Sequence, residues 1–380
     1  MQKQRVNHET HETHEKIENT RMSIWRWADW IEPVAPEARI TLGEGGTPLV
    51  RSRRIGPQAG LKNLFFKLDM VSPTGSFKDR FAAAAISHMV ANGQRVCVAT
   101  SSGNTGAALA AYCAAAGIRC EIAIVETAPR EKLKQMLAYG AKLYRIRGFG
   151  LDPDVTRRAF DWVQRMGSAP GATLHISAFR YSPAGMSGVQ TISYELAEQS
   201  PEPIRHVFCP AGGGGLAVAV ARGFAQLVDR KQLAASPAVE CVQPEGNDTI
   251  AGPLRSGAAE GRTVQCTSAV SGLQVPTVID GNETIRECRA SGGTGHLVSD
   301  EEVWSAQAML ARDEGIFTEP AGATALAGAL KARAQGYLQP EATVVCLVTG
   351  SGFKDQPSLD RILRDESCPI WELSDLEREL

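Results

Sequence analysis

From residue 60 onward the chain alternates between two kinds of segment, and this alternation restricts the fold more than any other feature. Short runs of β-branched and other apolar residues end in Gly, Ser or Asn, and Ala-rich stretches of helical length follow them. Strands are predicted at 63–69, 95–102, 120–126, 142–148, 173–177, 206–212, 238–243 and 343–350. Helices are predicted near 78–92, 104–116, 130–139, 153–166, 186–199, 215–229, 300–314 and 321–335. Strands interleaved with helices at this spacing make βαβ units, and so mostly parallel sheets with helices on both faces. Ligands of such sheets bind beyond the carboxyl ends of the strands, near a switch in strand order. The residues just after each strand are therefore where chemistry is sought. The stretch 245–285, Gly-rich and polar with weak periodicity, reads as irregular covering structure.

The length of 380 residues exceeds the ~250–300 at which a single core stops growing, so two domains are expected. A net charge of −2 provides no basic field for nucleic acid or anionic membrane. No apolar run reaches the ~18–20 residues of a membrane helix, and the charged N-terminus lacks the apolar middle of a signal peptide. The expectation is a cytoplasmic protein with a small-molecule partner. None of the nine cysteines forms a CxxC pair, and several lie inside apolar runs, as reduced thiols packed like small hydrophobes do. The leader repeats HETHETHE, with His8, His11 and His14 three apart. It reads as a solvated, disordered segment at 1–22 rather than a metal site, because nothing nearby would bury it.

Four segments at predicted strand ends carry chemistry. Ser72-Pro-Thr-Gly-Ser-Phe-Lys78-Asp-Arg80 opens an Ala-rich helix, with Ser76 as expected N-cap and Asp79 completing an approximate capping box. A lysine at the positive end of a helix dipole is electrostatically disfavoured. That lowers its pKa and favours the neutral amine that forms a Schiff base; the plainer reading is an exposed turn lysine. Thr100-Ser101-Ser102-Gly103-Asn104-Thr105-Gly106 offers hydroxyls, an amide and a helix N-terminus, which suit a carboxylate, or else forms an ordinary capped turn. Pro210-Ala-Gly212-Gly213-Gly214-Gly215-Leu216 lets the backbone wrap an anion at a helix start, a phosphate cradle that is neither a P-loop nor a GxGxxG fingerprint. Thr349-Gly-Ser-Gly-Phe-Lys354-Asp355 puts a hydroxyl at the end of the last strand.

Together these segments resemble the fold type II pyridoxal 5′-phosphate (PLP) enzymes, and within them threonine synthase most closely, from about Thr41 to Asp355. Leu42-Gly-Glu-Gly-Gly-Thr-Pro-Leu49 is similar to that family's GEGxTPL opening, SPTGSFKDR to its lysine segment, SSGNTGAALAAY to its substrate-carboxylate loop, and TGSGFKD to its TGxGLKD close. The resemblance implies an α/β fold of two open, twisted, mostly parallel sheets with helices on both faces. It divides the chain into a large cofactor-binding domain (23–94 and 181–380) and a small mobile domain (95–180), and it suggests a homodimer. It implies that Lys78 carries the PLP and shuttles protons, and that Asn104 bonds the ring's 3-hydroxyl. Ser101, Ser102 and Thr105 would hold the substrate carboxylate, Gly212, Gly213, Gly214 and Gly215 the cofactor phosphate, and Thr349 the ring nitrogen. No metal is implied.

Parts of the substrate frame depart from the synthases. Their phosphate loop often interleaves Asn with Gly; here it is uninterrupted GGGGL, as in threonine and serine dehydratases, and Glu319-Pro-Ala-Gly-Ala323 is similar to the dehydratases' EPAGA. Synthases place an arginine for the substrate phosphate after a proline (Pro-x-Arg), whereas here Arg180 precedes Pro183. Arg180 then either binds a substrate anion or lies on the surface. The leading expectation is an O-phosphohomoserine lyase forming threonine. The alternatives are a paralogue performing β-elimination or β-replacement on serine, threonine, phosphoserine or a related amino acid, and a non-catalytic small-molecule binder on the same frame.

Overall fold

The strands form because their residues are apolar on both faces, as strands covered by helices on each side must be. β2 (Asn63–Leu68) and β10 (Thr343–Val348) are buried along almost their whole length. The computed structural model describes residues 23–128, 130–364, 366 and 368–379; the reading of the leader and its histidines falls outside them. Two sheets result. The larger has the order β1-β2-β10-β7-β8-β9, where β1 is Leu49–Arg51, β7 His206–Pro210, β8 Ala238–Pro244 and β9 Gly295–Val298. β1 runs antiparallel to β2, with Leu49 opposite Lys67, and the other pairings are parallel. The smaller sheet, β5-β4-β3-β6, is wholly parallel and comes entirely from β3 (Val96–Thr100), β4 (Arg119–Ile124), β5 (Lys142–Arg145) and β6 (Ala172–His175).

Sequence and structure part in four places. β1 and β9 are too short to show a period. The stretch expected to be irregular contains Ala251–Arg255 and runs into the helix Gly281–Ala290, whose buried stripe is only Thr284, Ile285 and Cys288 beyond its first residue. The helix expected at 186–199 starts at Pro183, where a missing N–H costs nothing, and is two helices, Pro183–Val189 and Thr191–Gln199. The helix Lys78–Ala91 has Phe77, not Ser76, at its N-cap and no side-chain cap. Ser76 Oγ is buried with no partner among the described residues, and the Asp79 carboxylate reaches back to accept from the Thr74 N–H (2.7 Å) and Thr74 Oγ1 (2.5 Å).

The helix Lys78–Ala91 is buried nearly all round, from Asp79 through Ser87, as a helix between two layers must be. Its neighbour Pro183–Val189 lies so close that a Cβ on Gly188 would stand 2.3 Å from the Arg80 carbonyl oxygen, so glycine is required there. Beneath its first turn lies a charged core. The fully buried Arg80 guanidinium bonds Asp69 Oδ1 (2.8 Å) and both Glu195 oxygens (2.6 and 2.8 Å), and the fully buried Lys67 ammonium bonds Glu195 Oε2 (2.6 Å) and the Thr47 carbonyl (2.7 Å). Two cations face two carboxylates, which makes this burial tolerable. The network holds the Glu44–Leu49 segment, β2 and the first turn after Lys78 in one register. The described cysteines are all free thiols, and no described helix is long and apolar enough to cross a membrane.

Candidate active site

β10 inserts between β2 and β7, and this order assembles the site. Because Val348 pairs with Leu68, the turns that follow the two strands leave the sheet side by side. They are laced together: Phe77 N donates to Thr349 O (3.0 Å) and Ser351 N to Gly75 O (2.9 Å). The turn after β7 emerges on the other side of β10 and carries the glycines. The smaller sheet presents the ends of β3 and β6 to the same space. A cavity of about 930 Å³ lies between them, lined by Lys78, Ser101, Ser102, Asn104, Thr105, Gly212, Gly213, Gly214, Gly215 and Thr349. Ten of the eleven residues singled out from the sequence therefore meet. Arg180 does not: it is exposed and lies outside the cavity, its backbone N–H on Asp280 Oδ1 (3.2 Å) and its guanidinium 5.7 Å from the Tyr181 ring centre.

Lys78 Nζ donates to Ser177 Oγ at 2.5 Å, and Ser177 Oγ lies 3.0 Å from Thr105 Oγ1. The Lys78 pKa is pushed down to about 8. The direction agrees with the helix-start argument, but the principal cause is burial of the ammonium, opposed by the charges of Asp280 and Glu319. A fraction of the amine is thus neutral near pH 7, as a nucleophile or base requires.

Each cradle has a backbone reason. Gly214 has φ +96°, left-handed, and a Cβ there would stand 2.0 Å from Thr284 Oγ1. Its turn starts the helix Gly215–Asp229, whose first residues line the cavity and whose first N–H groups, at the positive end of the helix dipole, have no intrahelical acceptor. Ser101 Oγ accepts from the N–H groups of Gly103 (3.3 Å) and Gly106 (3.2 Å), shaping the loop that opens the helix Asn104–Ala116.

Two residues were not singled out by sequence reasoning. Ser177 is the last residue of the predicted strand at 173–177, where the strand-end rule points, but a lone serine there has no distinguishing signal. Glu319 was noticed only as part of a motif. Its fully enclosed carboxyl accepts from Asn104 Nδ2 at 2.7 Å, and burial pushes its pKa up to about 6.

Strand ends from two parallel sheets, enclosing an amine at one point and an anion-binding glycine turn at another, define an α/β enzyme built to hold an anionic, carbonyl-bearing cofactor. PLP fits this donor set: a lysine for its aldehyde, free N–H groups for its phosphate, and room between them for its ring. Residues 40–350 match the family model described as pyridoxal-phosphate dependent enzyme, and the chain belongs to that family. It is 31% identical over 359 residues to threonine synthase of Methanocaldococcus jannaschii, covering 93% of this chain and 85% of the relative. It is 33% identical over 343 residues to threonine synthase of Methanosarcina acetivorans, covering 90% and 82%. Among solved structures, threonine deaminase isoform 2 from Solanum lycopersicum superposes with a TM-score of 0.69 at 21% identity, covering 84% of this chain and 82% of that one, which shows the fold. Maize serine racemase gives 0.68 at 26%, covering 92% and 99%. The chain is a threonine synthase-like, PLP-dependent lyase.

Proposed function

We propose that this enzyme converts O-phosphohomoserine and water to threonine and phosphate, with Lys78 holding the cofactor. The observation that carries the reading is the single cavity onto which the Lys78 amine, the Ser101–Thr105 loop and the Gly212–Gly215 turn all open. The similarity to threonine synthases along most of the chain supports the choice of reaction. When bound, PLP supplies the electron sink for proton loss beside the substrate nitrogen. The chain's own residues do the rest. Lys78, with a pKa near neutrality and Ser177 as its rest partner, moves protons at the substrate carbons. Ser101, Ser102 and Thr105 hold the substrate carboxylate at the start of the helix Asn104–Ala116. Gly212 to Gly215 hold the cofactor phosphate, Asn104 orients the ring's 3-oxygen while anchored to Glu319, and Thr349 faces the ring nitrogen. A neutral hydroxyl there leaves the ring less protonated than a carboxylate would, which suits elimination.

The exposed Arg180 has no part in this reading. The division into 23–94 with 181–380 and 95–180 belongs to it, supported by a four-stranded sheet drawn wholly from the latter segment. So do a homodimer and a cytoplasmic location.

A second reading, β-elimination from serine or threonine, is favoured by the uninterrupted glycine turn and by the Glu319 segment at the cavity wall. The test is a substrate panel on purified holoenzyme with phosphate, threonine and keto-acid all assayed. Phosphate and threonine from O-phosphohomoserine support the first reading. Pyruvate or 2-ketobutyrate with O-phosphohomoserine untouched replaces it with the second.

A further inference from the structure

Buried cysteines usually pack singly, as small hydrophobes do, and Cys209, Cys241, Cys288 and Cys346 follow that habit. Cys97, Cys113 and Cys120 do not. Their Sγ atoms all lie within 4.8 Å of one another, the one cluster of His, Cys, Asp or Glu ligands of this kind among the described residues. Three separate elements build it. Cys97 on β3 pairs directly with Cys120 on β4, so both side chains leave the same face of the parallel sheet. Cys113 meets them from the helix Asn104–Ala116. All three are buried in the main core.

The three thiols hydrogen-bond to one another. The bonds from Cys113 and then Cys97 hold the Cys120 thiol below its ordinary value, against burial and the negative charge of Glu121. The trio thus favours a sulfur anion where an unpaired anion is costly, and a cation among the sulfurs offsets that cost. Metal–sulfur bonds of about 2.3 Å around one ion put its sulfurs roughly 4 Å apart, so the cluster closes on an ion with only small shifts. Zn(II) fills a structural site with four ligands, and no fourth described side chain joins this group. Cu(I), soft and content with two or three sulfurs, suits the donor set.

We propose that Cys97, Cys113 and Cys120 form a binding site for one thiophilic ion of low coordination number, Cu(I) by this donor set. Each copper–sulfur bond replaces an S–H bond, whose proton passes to solvent, and no electron is transferred. The site is closed, so the ion enters as the chain folds or when the helix Asn104–Ala116 lifts from its sheet. Once bound, it pins that helix, which the Ser101–Thr105 loop opens, to β3 and β4. The proposal is independent of which amino acid the enzyme uses.

The test uses reduced, oxygen-free holoenzyme carrying Cys266→Ser and Cys368→Ser, which removes the two sulfurs outside the buried set. Cu(I) is supplied against a competing Cu(I) chelator, in one arm to the native protein and in the other during refolding from urea. The expected result is one chelator-resistant Cu(I) per chain, thiolate-to-copper absorption in the ultraviolet and a raised Tm. Cys97→Ala, Cys113→Ala and Cys120→Ala should each lose all three, while an unchanged spectrum of bound PLP shows that the fold is intact. Where an Ala variant loses PLP, the Ser variant at that position takes its place. Cys241→Ala, which deletes a buried cysteine outside the cluster, should keep the copper. Absence of chelator-resistant copper in both arms overturns the site. Copper retained by the Cys97 and Cys120 variants, or lost equally by Cys241→Ala, overturns it as well.

Discussion

Asn104 Nδ2 donates to Glu319 Oε1 at 2.7 Å, tying the first residue of a helix on the smaller sheet to a carboxyl group beside the helix Pro320–Ala334 of the larger one. A Cβ on Gly350 would stand 2.0 Å from the same Glu319 oxygen, so the turn after β10 is also shaped around it. The bond is charge-assisted only while Glu319 is ionised. Its pKa, pushed up by burial to about 6, means the carboxyl gains a proton as pH falls through 6. We predict an acidic limb near pH 6 in the kcat profile that is absent in Glu319→Gln, together with a changed absorption spectrum of bound PLP in that variant. An unaltered profile and spectrum would remove Glu319 from the site.

Lys78→Ala should abolish turnover, by about a thousandfold or more, because in the proposed function the amine serves both as cofactor anchor and as proton carrier. The protein should stay folded, since the Lys78 ammonium bonds only a serine hydroxyl among the described residues. Retained activity, with borohydride still fixing the cofactor to the chain, would move the anchor to another lysine.

Gly214→Ala should lower PLP affinity and cost about 1–3 kcal/mol of stability. Its left-handed φ and the 2.0 Å approach to Thr284 Oγ1 leave no place for a methyl group. Ligand-dependent thermal unfolding separates the two effects. By contrast Gly93→Ala, also at positive φ (+66°) but with open space around it, should lose stability through backbone strain while leaving PLP affinity intact.

Removing one member of the buried ion network should cost more. Glu195→Gln leaves Lys67 and half of Arg80 uncompensated, and a loss of about 3–5 kcal/mol is expected in chemical denaturation. In the intact protein Glu195, held by Arg80 and Lys67 against the opposing effect of burial, has its pKa pulled down to about 2. A carboxylate lowered on folding stabilises at pH values above its ordinary 4.5, and that contribution is lost as pH falls from there toward 2.

Glu44 gives the opposite sign. Fully buried, it is pushed up to about 7 despite hydrogen bonds from Tyr112 (2.6 Å) and the Leu42 N–H (3.0 Å). A carboxyl raised on folding stabilises below its ordinary 4.5, and that contribution fades as pH rises through 7. Glu44→Gln should therefore flatten the decline in stability between those values in urea titrations, whereas an unchanged slope would mean that Glu44 is ionised in the native state.

Much of this was legible in one dimension because it is local. The apolar runs at 343–350 and 206–212, the Ala-rich stretch after Lys78 and the glycines at 212–215 each report their conformation from neighbouring residues alone, through side-chain period, turn chemistry and backbone freedom. Short pieces escaped for the same reason: β1 and β9 owe their extension to β2 and β8 beside them. The cap at Ser76 failed because Asp79 found a better donor pair in Thr74, and the Lys78 pKa falls through burial, which depends on what is packed around the amine. What only the tertiary structure decided is which ends meet. The strand order, with β10 between β2 and β7, brings Ser177 to Lys78 and Glu319 to Asn104. It also leaves Arg180 outside the cavity. Those pairs are separated by up to hundreds of residues, and no local pattern encodes a contact made by long-range strand pairing.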